Sequence, residues 1–196
     1  NEVCRATIMK ANKKFTLLHR ILHWTMFIAM PILFITGFLR MYWMNKKHIV
    51  SIISENTSPE LLTKEQMSTI ATSIREPMWQ WHELFAHIMI ITFVIRIIYM
   101  LTKGIRFPNP FKSNTKLKEK LQGFTYIYFY LFVFISAVTG ICIEKGFFES
   151  SMEIIETVHK LGIYWFPIFI ILHIAGILIA ELTDKKGIVS NMIGGD

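Results

Sequence analysis

Along this chain, long apolar runs alternate with short stretches rich in charge. Four runs stand out, at about 17–44, 78–101, 124–143 and 158–182. As a helix rising about 1.5 Å per residue, each can cross the roughly 30 Å of hydrocarbon in a bilayer. A helix satisfies its own backbone polar groups, which lipid cannot do. The pattern predicts an all-α protein, an integral membrane four-helix bundle forming one domain over residues 1–196. The first run is long enough to tilt or to continue past the membrane surface.

The longest connection lies between the first two runs, from Asn45 to Pro77. Within it, Ser58-Pro59-Glu60 reads as a helix start, with serine as N-cap and proline at the first position. Met67, Ile70, Ala71 and Ile74 then follow the i, i+3, i+4, i+7 pattern. A short amphipathic helix on the outer surface is expected there. Residues 102–121, with Phe107-Pro108-Asn109-Pro110, predict an irregular basic loop.

Composition agrees with a membrane protein: 53% of residues are hydrophobic and the mean hydropathy is +0.42. The net charge of +7 raises nucleic acid as a partner, but its distribution points to lipid instead. Lys and Arg crowd the N-terminal tail up to Arg20, the 102–121 loop and the tail after Leu182, and outnumber those at the opposite face. That bias places both termini in the cytoplasm. The first run follows a polar tail and exceeds a signal h-region, so it reads as a span. Cys4 and Cys142 show no paired spacing, and there is no C-x-x-C-H motif for covalent haem. Non-covalent b-type haem stays open.

Histidines carry the candidate chemistry. His159 and His173 are fourteen residues apart in the fourth run. At about 100° per residue they share a helix face, about 21 Å apart along the axis. Ionisable residues in a span are costly and usually functional. Depth then sorts the remaining five. His23 in the first run matches the height of His173, and His82 in the second matches His159. Two imidazoles above and below a porphyrin plane make a bis-histidine haem site. The expectation is two b-type haems: His23 with His173 on the cytoplasmic side, His82 with His159 on the outer side. Such a site has both axial positions filled and suits electron transfer. His19, one turn before His23, and His87, about 140° around the helix from His82, are the alternative ligands. His48 reads as a solvated loop residue. Polar glue between helices is the plainer role for any one of these histidines.

Two arginines are candidate partners for haem propionates on the cytoplasmic side. They are Arg96, fourteen residues after His82, and Arg20, just before His23. Arg40 is the counterpart at the outer face. Ile35-Thr36-Gly37-Phe38 in the first run is echoed by Val138-Thr139-Gly140-Ile141 in the third. The small residues permit close helix approach, or room for a flat ring.

Taken together, the motifs resemble a known family. Leu22-His23-Trp24 opens the first span, and His82-Glu83-Leu84-Phe85-Ala86 with Arg96 marks the second. His159 and His173 stand at the family spacing in the fourth. The chain is similar, from about Phe15 to Thr183, to the bacterial cytochrome b561 and nickel–iron hydrogenase cytochrome b superfamily, which includes formate dehydrogenase gamma subunits. The resemblance implies a dihaem b-type cytochrome passing electrons between a quinone pool and a redox partner protein or catalytic subunit. In the formate dehydrogenase branch an Asn-x-x-Gln motif before the third span contacts quinone. Here the stretch is Glu119-Lys120-Leu121-Gln122, so Gln122 matches and Glu119 departs. Two rival readings are a self-sufficient quinol oxidoreductase of the cytochrome b561 type and a cofactor-free anchor or transporter.

Overall fold

A computed structural model describes residues 15–58, 60–104, 107–114, 116–183 and 186–194. The described residues are helical, with no strand. In chain order the helices are α1 (Leu17–Met41), α2 (Lys46–Glu55), α3 (Lys64–Lys103), α4 (Leu117–Lys145), α5 (Met152–Lys160), α6 (Gly162–Leu182) and α7 (Ile188–Ile193). Helices α1, α3, α4 and the α5–α6 pair are each long and apolar enough to cross a membrane. Their apolar side chains largely face outward: Ile28 is 55% exposed, Leu131 55% and Ile171 67%. Outward apolar surface on this scale suits lipid and not water.

Contacts along the axis give the topology. His23 of α1 faces His173 of α6, while Thr36, further along α1, meets His82 of α3. At that same end Thr139 of α4 meets His159 of α5, and Arg96 of α3 meets Tyr130 of α4 at the other. The four crossings therefore run antiparallel in sequence. The bundle has a chain-end level, near the first described residues and α7, and a loop-end level, near α2 and α5.

Between these levels sits the core. Met26, Ala29 and Met30 of α1, Met89 and Phe93 of α3, Phe129 and Val133 of α4, and Phe169 of α6 are all buried. Phe129 and Phe169 pack with ring centres 4.9 Å apart. Flexible methionines fill the gaps that such rings leave.

Several boundaries differ from the sequence expectation. Ser58 does not cap a separate helix, and Pro59 lies outside the described residues. Instead Thr63 and Gln66 form a reciprocal capping box, and α3 runs unbroken from Lys64 through Pro77 to Lys103. The amphipathic segment and the second span are one helix. Pro77 removes one N–H and so leaves the Ser73 carbonyl without a helical donor. Ser73 is exposed, so the loss falls on the surface and the helix continues. The separate short helix of this connection is α2, capped by the Asn45 side chain.

The basic loop is shorter than expected, because α4 begins at Leu117. Gly123 is buried there, and a Cβ at this position would lie 2.5 Å from the Pro108 carbonyl oxygen. Only glycine lets the Phe107–Pro110 segment fold onto α4. The fourth crossing is interrupted at Leu161, which divides α5 from α6. After it comes α7, which sequence patterning did not predict. The Glu181 carboxylate accepts from the backbone N–H groups of Gly187 (2.6 Å) and Val189 (3.3 Å). Arg20 and Trp24 of α1 donate to the carbonyls of Ile193 and Met192, both at 3.2 Å. These bonds dock α7 on the start of α1.

Candidate functional site

The structure brings four of the seven histidines together in twos. His23 and His173 have ring centres 6.2 Å apart, with planes 38° from parallel. His82 and His159 have ring centres 6.3 Å apart at 74°. All four rings are half-buried. Among the described residues, no three His, Cys, Asp or Glu side chains converge to hold a metal ion. A metal between two of these imidazoles thus needs its other donors from elsewhere, as a porphyrin supplies them.

The spacing can be tested against that possibility. An imidazole nitrogen binds a first-row metal at about 2.0–2.1 Å, and its ring centre lies about 1.1 Å behind it. Two imidazoles on opposite sides of one metal thus have centres about 6.3 Å apart. Both pairs match this value. The donor chemistry fits as well. Thr36 Oγ1 donates its one proton to the Ile32 carbonyl at 2.7 Å and lies 2.8 Å from His82 Nδ1. With the hydroxyl proton on that carbonyl, the ring is the donor, which puts the proton on Nδ1 and leaves Nε2 a free lone pair. Thr139 repeats the arrangement, with the Ile135 carbonyl 2.7 Å and His159 Nδ1 3.0 Å from its hydroxyl. At the chain-end level, His23 Nδ1 is buried without a hydrogen-bond partner among the described residues. A desolvated ring nitrogen without a partner is costly.

The other histidines stand apart from these pairs. His19 stacks on Phe15 with ring centres 5.1 Å apart and leans toward Tyr99 at 6.1 Å. The exposed His87 bonds through Nδ1 to the Glu83 carbonyl of its own helix at 2.8 Å. His48 is exposed, but it lies on α2 and not in a loop.

Each level is lined by further groups. Phe169 stacks on His173 at 5.4 Å and Trp24 meets His23 edge-on at 5.5 Å. Arg96 donates through Nε to the Tyr130 hydroxyl at 3.0 Å, and that hydroxyl contacts Met100 sulfur at 2.7 Å. Arg20 is committed through one nitrogen to α7, while its Nε is buried without a partner among the described residues. At the loop end, Trp79 stacks on His82 with ring centres 5.8 Å apart and planes 9° from parallel. The Arg40 guanidinium covers the Trp79 ring at 4.4 Å. Arg40, Arg75, Trp79, Thr72 and Glu76 line a cleft of about 230 Å³, and Arg75 Nε is buried with no partner among the described residues. Sequence reasoning missed Arg75 and Trp79; their signal is the spacing from His82, seven and three residues on one helix.

Gln122 and Glu119 lie on the first turns of α4, and Glu119 is exposed. One turn further, Tyr126 and Tyr130 join Phe93, Ile97, Phe107 and Phe134 in lining an apolar cleft of about 470 Å³.

No curated protein and no solved structure matches the chain. The family model for prokaryotic cytochrome b561 matches residues 14–195, nearly the whole chain. With four helices that suit a membrane, this chain belongs to the prokaryotic cytochrome b561 family: it is a multi-pass membrane cytochrome of the b type, a haem protein of electron transfer.

Proposed function

We propose that the chain is a dihaem relay carrying electrons across the bacterial inner membrane between a quinone pool and a redox partner. The observation that carries this reading is the pair of histidine separations, 6.2 and 6.3 Å, one at each level of the bundle. His23 and His173 hold one haem, and His82 and His159 hold the other. Bound iron porphyrin supplies reversible one-electron chemistry. The chain's own part would be to offer the four imidazoles, orient their rings and keep the layer between the levels apolar.

Arg96 and Arg20 at the chain end are the candidate cations for propionates, and Arg40 with Arg75 form the counterpart at the loop end. Arginine suits this task because its planar fork matches a carboxylate. Quinone is placed at the chain end, on the cytoplasmic side. There the apolar cleft beside Tyr126 and Tyr130 offers aromatic walls of a size that takes a quinone ring. Gln122, one turn away, is the polar contact, while the exposed Glu119 is a less direct proton acceptor.

Haem content and spectrum test the reading. The purified chain should show reduced-minus-oxidised b-type bands at two haems per polypeptide. One haem per chain, or none, overturns the dihaem assignment. Purification from native membranes shows whether a partner subunit accompanies the chain or it oxidises quinol alone.

A further inference from the structure

The two Thr-Gly steps of the sequence fall at the same level of the bundle and face the same pair of rings. Thr36 of α1 bonds His82 of α3, and Thr139 of α4 bonds His159 of α5. Each threonine is also tied back to its own helix in the same way. Thr36 reaches the carbonyls of Ile32 and Leu33 at 2.7 and 3.1 Å; Thr139 reaches those of Ile135 and Ser136 at 2.7 and 3.2 Å. The neighbouring glycines meet the same ring atoms. A Cβ on Gly37 would lie 3.9 Å from His82 Cε1, and one on Gly140 would lie 3.2 Å from His159 Cε1. At the chain-end level, His23 Nδ1 has no such hydroxyl partner among the described residues.

We infer that Thr36 and Thr139 are positioning residues that set the tautomer, orientation and basicity of His82 and His159, and through them the redox potential of the loop-end haem alone. The inference rests on the dihaem reading. Each hydroxyl is held as an acceptor because its proton is spent on the i−4 carbonyl. It is therefore placed to accept a hydrogen bond from Nδ1–H, which would leave Nε2 free for the iron. An acceptor on Nδ1–H draws that proton away from the ring and makes the imidazole a stronger base. A stronger base favours the oxidised, more positive iron, so the threonines lower the potential at this level. The adjacent glycine leaves the ring free to stand edge-on beside its helix.

The test uses Thr36→Val and Thr139→Val, which keep the shape of the side chain, and Thr36→Ser and Thr139→Ser, which keep the hydroxyl. Redox titrations followed by haem absorbance, with electron paramagnetic resonance of the oxidised protein, are the readouts. His82→Ala identifies which of the two titration waves belongs to the loop-end level. In the valine variants that wave should move to higher potential with altered axial-ligand signals, and haem affinity at that level should fall by about 10- to 100-fold. The chain-end wave should stay in place, and serine should restore both properties. A valine variant with both waves unmoved overturns the inference, as does one that shifts both waves equally. If one valine variant fails to accumulate, its serine counterpart and the other threonine still decide the matter. A wild-type chain with fewer than two haems instead overturns the dihaem reading itself, so the two failures are distinguishable.

Discussion

Phe169 stacks on His173 with ring centres 5.4 Å apart and planes 21° from parallel, one helical turn before it on α6. The same phenyl ring packs on Phe129 of α4. It therefore joins the chain-end histidine to the buried core. Phe169→Ala should destabilise the bundle by about 3–5 kcal/mol through the cavity it leaves. Thermal unfolding in detergent, followed by haem absorbance, measures this. Phe169→Leu should cost much less, and an equal loss in both variants would argue against a packing role.

His173→Ala should remove the chain-end haem and spare the other; His82→Ala should do the reverse. Haem-to-protein ratios give the answer directly, near one per chain in each variant. Unchanged haem content in His173→Ala would show that the pairing is wrong.

Much of this arrangement was legible in the sequence, for a physical reason. Membrane depth restricts where an imidazole of each span can lie, so His23 could be set beside His173 and His82 beside His159 from position alone. The structure places them together. The four spans were equally legible, because lipid demands long apolar helices. Other features were not. Pro77 reads as a boundary, yet α3 passes through it, since the capping box at Thr63 starts the helix earlier. The Thr-Gly echo reads first as close packing, because a hydroxyl's partner on another helix leaves no local signal. Helix α7 lacks periodicity, and its position depends on Glu181, Arg20 and Trp24, which only the fold assembles.

The two glycines beside the loop-end rings should respond differently to a methyl group. Gly140→Ala would press Cβ to 3.2 Å from His159 Cε1, tighter than ordinary packing, so the ring must give way. Gly37→Ala would meet His82 Cε1 at 3.9 Å, a normal contact. The expected outcome is loss or distortion of the loop-end haem in the first and near-native spectra in the second. Both absorbance and electron paramagnetic resonance would register the contrast.

The Arg96 charge is felt electrostatically at His23 and His173. On the dihaem reading, Arg96→Gln removes a cation from the level of the chain-end haem and should ease oxidation there. The potential at that level should fall by roughly 1 kcal/mol per electron, with the loop-end level unmoved. A redox titration resolves the two. Loss of the Tyr130 bond alone, tested by Tyr130→Phe, should move the potential less.

Gln122→Ala should slow quinol oxidation while leaving both haems in place, if quinone meets the start of α4. Stopped-flow reduction by a short-chain quinol checks it. A rate equal to wild type would remove Gln122 from that role without touching the cytochrome itself.

The chain-end pair draws one imidazole from the first crossing and its mate from the last. During synthesis His23 enters the bilayer early and waits while nearly all the intervening sequence is translated. No bis-histidine clamp can form at that level until α6 has been inserted. The loop-end pair likewise waits for α5. A ribosome-stalled fragment ending before α6 would therefore have no bis-histidine clamp at the chain end.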